Sequence, residues 1–557
     1  MYCTIDSTKT YPSTTVFEAL FEQETDVPGD YKLFIDTDKP ENNLTRDSLK
    51  RDILLFAQGL KDKYSFGPGD IMAVCAPNHL DWAIAVHAPP VIGAITASVR
   101  AIEGPENVIK DIMLVRPKII IAHKETLETV KVAANAINLE YSRILIFGDE
   151  TVDGFAPFRS VLMNHSTLAT QVKLTLDELS TKPAYLYFTS GTTGTRKAVI
   201  ITHDNVVITF CAKQIWLTYE TRYLSYTNNA HASALIVAMS NCVKNGVQTY
   251  LLKDFTLQRL CEAIQQYKIQ VFATQPWVSA ALTRERFVSN YDLSSLEYAI
   301  SAGSPLDPMT MIRFKNRHDA TLCSFFGMTE SLLIFQVSQE GARRGIPGSI
   351  GTLYPEFTVK LVGDNGKEVP HGSIGELCIK GRFVTTGYYK NAEATAAAID
   401  KDGFYHCGDL VRVDDEGYFY YISRIKDIIK YYAYHISPPE IEYILLSHPG
   451  VSECCVVGDY SEELSTELPK AFVVLSMKSK YLSIDNLQEY ANDRLPDYMR
   501  LRGGLVILNE LPKSSLGKIL RSTLRHQMGQ PIKAIETKTN CVSKKPSILT
   551  MGQSTIA

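Results

Sequence analysis

The 557-residue sequence has no C-x-x-C pair among its 11 cysteines, and no Cys/His cluster has zinc-ligand spacing. Disulfide scaffolds and zinc-finger frameworks are therefore not expected. The odd, scattered set, with Cys454-Cys455 as its closest pair, reads as reduced thiols in a cytoplasmic setting. Charge of one sign is also lacking: 57 basic against 61 acidic residues give a formal net charge of -4. No large basic field is left to neutralise nucleic-acid phosphates. No long apolar run is uninterrupted. The best candidate, Trp82 to Val99, is broken by His87 and Pro89-Pro90 and predicts a buried helix with a following strand, not a membrane span. Met1-Tyr2-Cys3-Thr4-Ile5-Asp6 lacks the basic-then-apolar pattern of a signal peptide, and Ser554-Thr555-Ile556-Ala557 is not a Ser-Lys-Leu address.

What is present is an ordinary globular balance, 45% hydrophobic and 21% charged, in a chain long enough for several domains. The first two-thirds alternate short β-rich runs (Ile71 to Val74, Lys118 to Ala122, Arg143 to Phe147, Tyr185 to Phe188, Val247 to Leu252, Val271 to Thr274) with helical patterns such as Leu257 to Tyr267. This rhythm predicts an α/β fold of parallel sheets covered by helices. From about Phe357, strands at Thr358 to Val362, Glu376 to Lys380 and Tyr418 to Ile422 predict a small β-subdomain. After Lys426 an α+β unit is expected. Its first helix is opened by Ser437-Pro438-Pro439-Glu440, read as a capping box. The expected division is 1–425, 426–526 and a tail, 527–557, without periodicity and expected to be flexible.

The most informative segment is Thr189-Ser190-Gly191-Thr192-Thr193-Gly194-Thr195-Arg196-Lys197. Glycines permit close backbone approach to anionic oxygens, hydroxyls and N–H groups donate to them, and Lys197 adds charge. A Walker A loop is excluded, because no Gly-Lys-Ser/Thr follows at the required spacing. Further along lie Gly327-Met328-Thr329-Glu330, His406-Cys407-Gly408-Asp409, Ser423-Arg424-Ile425-Lys426-Asp427 and Pro512-Lys513-Ser514-Ser515-Leu516-Gly517-Lys518. With these five motifs in this order, the sequence resembles the adenylate-forming superfamily of acyl- and aryl-CoA synthetases, which includes 4-coumarate–CoA ligases and beetle luciferases. The resemblance runs from about Tyr11 to Arg525.

The resemblance implies ATP-dependent conversion of a carboxylic acid to an acyl-adenylate, then transfer to the thiol of coenzyme A. It places Lys518 at the acid carboxylate and the α-phosphate, Thr329 at the α-phosphate, Glu330 on Mg²⁺, and Asp409 and Arg424 at the ribose. Thr189 to Gly194 and Lys197 would cradle phosphate. Gly303-Ser304-Pro305, Phe326 and Gly327 would hold adenine. His231, Ala302 and Phe325 would line the acyl pocket, Lys426 would be the hinge of a mobile C-terminal lid, and Lys430, Tyr432 and Ala433 would lie in the CoA passage.

Several positions depart from the family pattern. Arg196 replaces a usual proline and Ala198 a glycine. Phe326 replaces a tyrosine, keeping a stacking face and losing a phenol. Phe325 and Ala302 stand where glycines give room, implying a small aryl or medium-length acyl acid. Ala433 replaces a glycine, with a Cβ that narrows the passage or forbids a positive φ. Transfer to a carrier-protein thiol in trans, a luciferase-like oxidative fate, and an inactive nucleotide-binding homologue are the alternatives.

Overall fold

The computed structural model describes residues 1–3, 11–190, 196–211, 217–336, 346–476, 482–514 and 517–527. Two sheets of mainly parallel strands form the large N-terminal part. The first, six-stranded, runs in the order Ile144–Ile146, Ile119–Ala122, Ile71–Cys75, Ile95–Ser98, Pro183–Ser190, Arg196–Thr202. Ile71–Cys75 is buried at every position, as a strand covered by helices on both faces must be. The second, seven-stranded, runs Thr321–Ser324, Tyr298–Ser301, Val271–Thr274, Arg222–Ser225, Gln248–Leu251, Lys32–Asp36, Asn43–Thr45.

The apolar run folds as expected into a buried helix, Trp82–Val91, and a strand, Ile95–Ser98. His87 is satisfied there by Tyr185 Oη at 3.1 Å and the Met239 carbonyl at 2.9 Å. No helix among the described residues is long and apolar enough to cross a membrane.

The β-subdomain is an antiparallel seven-stranded sheet that includes Phe357–Val362, Gly375–Gly381, Tyr405–Val413 and Phe419–Arg424. Its edge is a strand the sequence did not announce: Tyr2–Cys3 pairs with Val359 and Thr358. Past the 3₁₀ turn Ile425–Asp427 come the hairpin Ile429–Tyr431/Tyr434–Ile436 and a three-stranded sheet, Val451–Ser461, Thr466–Leu475 and Leu505–Leu508. Helix Pro438–Ser447 begins after Ser437, but the expected capping box is absent. Ser437 Oγ donates instead to the Ile422 carbonyl at 2.9 Å, tying the helix start to the last strand of the β-subdomain. The expected tail lies outside the described residues apart from the backbone at Gln527.

Candidate active site

The glycine motif leaves a strand, as expected. Pro183–Ser190 and Arg196–Thr202 are antiparallel partners, with Ser190 opposite Arg196 and Thr189 opposite Lys197. The two ends of the motif are thus paired across antiparallel strands, and helix His203–Cys211 follows the second of them. Gly191, Thr192, Thr193 and Gly194 lie outside the described residues.

The paired strand ends are clamped by Arg196. Its guanidinium meets Asp111 in a bidentate pair, with both N···O distances 2.5 Å, and also meets Glu103. Arg100 lies 2.9 Å from Glu103 and donates to the Phe188 carbonyl at 2.7 Å. Burial pushes the Asp111 carboxyl up to about 6 against the opposing pull of Arg196. Two arginines and two carboxylates therefore tie the two strand ends to helix Pro105–Val115 and the turn before it, which accounts for the arginine at position 196.

Lys197 places its ammonium 4.6 Å from the Tyr388 ring centroid. Tyr388 Oη donates to Glu330 Oε1 at 3.0 Å and meets Tyr405 Oη at 3.0 Å. Glu330 is buried, which raises its carboxyl, while Tyr388, Arg424 and Lys197 oppose the rise. Its backbone carbonyl accepts from Thr385 N at 2.7 Å. The turn carrying Thr329 and Glu330 needs Gly327, because a Cβ there would lie 2.0 Å from the Leu332 carbonyl oxygen. Phe326 is half-buried, with Phe335 and Tyr421 at centroid distances of 5.8 and 6.0 Å.

Asp409 and Arg424 are cross-strand partners on Tyr405–Val413 and Phe419–Arg424. Asp409 is buried; its Oδ1 stands 3.2 Å from Arg424 Nε and accepts no well-formed hydrogen bond. A buried carboxylate oxygen without a well-formed hydrogen bond suits a ligand that brings hydroxyls, as a ribose does.

Lys518 follows a tight turn in which Ser514 N donates to its carbonyl at 2.7 Å and Lys513 bridges to Ile519. Gly517 has φ 75°, and a Cβ on it would meet Trp277 Nε1 at 2.4 Å. Trp277 belongs to helix Pro276–Arg284 of the N-terminal part, and Arg284 at its end donates to the Ser452 carbonyl at 2.6 Å. These two contacts tie the C-terminal unit to the N-terminal part, with Lys518 and Asp409 within each other's electrostatic field. Lys518 is open to the water of the cleft yet crowded by protein. That crowding, then Arg424, lowers its ammonium to about 8, while Asp409 and Asp427 oppose the drop and Lys426 adds to it.

The three residues expected to line the acyl pocket all follow the carboxyl ends of strands in the second parallel sheet, where ligands of α/β folds bind. Phe325 follows Thr321–Ser324, Ala302 follows Tyr298–Ser301, and His231 lies beyond Arg222–Ser225. Gly303, Ser304 and Pro305 continue from Ala302. His231 caps helix Ala232–Ile236, with Nδ1 accepting from Ser233 N at 3.3 Å. A backbone N–H can only donate, so the neutral ring carries its proton on Nε2. Burial, then Arg100, lowers this histidine to about 4.

Lys430, Tyr432 and Ala433, the residues expected in the CoA passage, lie on or at the turn of the hairpin Ile429–Tyr431/Tyr434–Ile436. Lys430 N donates to Glu467 Oε2 and Tyr432 N to Thr466 Oγ1, both at 2.7 Å, and Tyr432 and Ala433 are exposed. Tyr432, not Ala433, takes the left-handed turn, at φ 49°. The expected conflict between the Ala433 Cβ and a positive φ does not arise in this arrangement. Lys426 lies in the connecting 3₁₀ turn, its carbonyl held by Arg525 at 3.1 Å.

Trp277, Arg284, Tyr388, Arg100, Glu103 and Asp111 escaped the sequence reading. Arg196 alone carried a signal, as a charged residue at an unusual place.

The fold is that of ATP-bound MatB from Rhodopseudomonas palustris, which the chain matches with a TM-score of 0.81 at 20% identity, covering 93% of this chain and 99% of that one. It belongs to the AMP-binding enzyme family, whose main domain matches residues 21–389 and whose C-terminal domain matches residues 440–518. It is 31% identical over 497 residues to luciferin 4-monooxygenase of Photuris pensylvanica, spanning 87% of this chain and 90% of that protein. It is 29% identical over 493 residues to a probable 4-coumarate–CoA ligase of Dictyostelium discoideum, spanning 83% and 87%.

Proposed function

We propose that this enzyme activates a small aryl or medium-length acyl carboxylic acid with ATP, releasing pyrophosphate, and passes the acyl group to the thiol of CoA, releasing AMP. The observation that carries this reading is the buried Oδ1 of Asp409, 3.2 Å from Arg424 Nε but without a well-formed hydrogen bond, within the field of Lys518. A carboxylate there accepts the ribose hydroxyls. Lys518 neutralises the acid carboxylate and the α-phosphate as the acid oxygen attacks phosphorus, a step that needs positioning and charge neutralisation more than proton transfer. Thr329 holds an α-phosphate oxygen, and the residues from Thr189 to Lys197 hold the rest of the triphosphate. Gly303 to Pro305, Phe326 and Gly327 border the adenine.

Glu330 would hold Mg²⁺; a buried carboxylate oriented by Tyr388 fits a hard cation. Bound there, Mg²⁺ would offset charge on the phosphate oxygens. His231 Nε2–H faces the acid, with Ala302 and Phe325 limiting its length.

We place the domain boundary at 425/426, with Lys426 as the hinge. Rotation there would exchange the Lys518 turn for the hairpin bearing Lys430, Tyr432 and Ala433, where CoA would enter. A pyrophosphate-release screen over a panel of carboxylic acids, with and without CoA, tests the reading. Acid-dependent release and a CoA thioester product support it. No release with any acid contradicts it. A second outcome, AMP-ester accumulating without thioester, is favoured by the likeness to a luciferin monooxygenase, and would confine the activity to adenylation.

A further inference from the structure

One cluster among the described residues brings together three metal-ligating side chains, Glu376, Cys378 and His406, whose ligand atoms all lie within 4.8 Å of one another. Sequence spacing hides it, since the residues come from two strands and a bulge. Lys360, Cys378 and His406 are register neighbours on three adjacent antiparallel strands, so they share one face of the sheet. Between His406 and Leu410 the partner strand bulges against Glu376–Cys378, and this irregularity brings Glu376 beside His406.

The distances are those of a site with its ligands nearly in place. Cys378 Sγ is 3.4 Å from His406 Nδ1, and Glu376 Oε2 is 2.9 Å from the same nitrogen. A tetrahedral zinc with ordinary bond lengths separates sulfur from nitrogen by about 3.5 Å and nitrogen from oxygen by about 3.3 Å. The other ring nitrogen, Nε2, faces Asp400 Oδ2 at 3.6 Å, and Asp400 is held by Lys360 Nζ at 2.8 Å. That is the outer arrangement which orients a metal-bound imidazole: one nitrogen for the metal, the other turned to a carboxylate. Lys360 neutralises Asp400, leaving Glu376 and the thiol as the charge-bearing ligands. His406 and Glu376 have 34% and 20% of their side chains exposed, so an ion and a fourth ligand from water have access.

We propose that Glu376, Cys378 and His406 form a binding site for a borderline divalent cation of the zinc class, with Asp400 orienting His406 and water completing the coordination. A thiolate, an imidazole and a carboxylate suit zinc or cobalt(II) and do not suit Mg²⁺. Loading converts the thiol to a metal-bound thiolate and releases its proton to solvent. In the metal-free cluster burial pushes that thiol up to about 12, with Glu376 and Asp400 adding to the rise and Lys360 opposing it. The site is separate from the Mg²⁺ position assigned to Glu330 and does not depend on the reaction proposed above.

Cobalt(II), which reports sulfur ligation by a near-ultraviolet charge-transfer band, is the probe. Titrating the full chain is expected to give that band, saturating at one equivalent and bleached by zinc. Cys378→Ser should abolish it. His406→Gln, at a partly exposed position that threatens the fold less, should also lose it while circular dichroism stays unchanged. Asp400→Asn should keep the band and weaken binding about 10-fold or more. A band that persists in Cys378→Ser, or no band in the wild-type chain, overturns the proposal.

Discussion

Trp277 and Gly517 meet so closely that a Cβ on the glycine would lie 2.4 Å from the indole nitrogen. The contact joins a helix of the N-terminal part to the turn presenting Lys518, and Gly517 holds that turn at φ 75°. Gly517→Ala therefore adds a clash to a left-handed strain of about 1–2 kcal/mol. Pyrophosphate release should fall at least about tenfold in Gly517→Ala and less in Trp277→Ala. Thioester formation from supplied acyl-adenylate should be unchanged in both. Equal loss of the two half-reactions would show that the contact only stabilises the fold.

Arg196 is the bidentate partner of buried Asp111, so its removal strands that carboxylate, while Glu103 keeps Arg100. Arg196→Met should cost about 3–5 kcal/mol of stability, the usual price of leaving buried charge unpaired. A lowered first thermal transition and a raised KM for ATP would register it. Asp111→Asn, which keeps an acceptor for the guanidinium, should be milder. An Arg196→Met protein with wild-type melting and ATP affinity would contradict the clamp.

The Lys518 ammonium, lowered to about 8, is charged below that pH and loses its proton above it. The value of kcat/KM for ATP, which reports the free enzyme, should fall along an alkaline limb near pH 8. Lys518→Arg, whose charge persists, should remove the limb whatever its residual rate. A limb that stays in Lys518→Arg assigns it to another group.

His231, lowered to about 4, stays neutral with Nε2–H across ordinary pH. The wild-type kcat/KM for the acid should show no histidine limb between about pH 5 and 7. His231→Ala should raise KM for the acid, and His231→Asn, which offers an N–H donor, should recover part of it. A limb near pH 6.5 that vanishes in His231→Asn would contradict the neutral-donor assignment.

Local patterns were legible wherever local forces decide. Continuous burial at Ile71–Cys75, the helix Leu257–Tyr267 and the strand Val271–Thr274 emerged at or within a residue of their expected bounds. Lys518, Glu330, Asp409 and Arg424 were singled out through the resemblance, whose motifs are short and ordered. What escaped depends on partners far apart in sequence. Arg196 finds Asp111 across 85 residues, and Tyr2 finds Val359 only in the folded sheet. Ser437 looked like a cap because its neighbours fit one, but the Ile422 carbonyl claims its hydroxyl. Glycine logic pointed to Ala433, whereas the hairpin puts its left-handed residue one place earlier, at Tyr432. The Glu376–Cys378–His406 cluster depends on strand register and a bulge, neither of which is written in spacing.

The central claim is that Lys518, within the field of Asp409, drives adenylation. The most direct measurement compares acid-dependent pyrophosphate release and ATP binding in wild-type and Lys518→Ala protein. The account predicts release reduced about 100-fold or more, with ATP affinity largely kept. Full release in Lys518→Ala would contradict it.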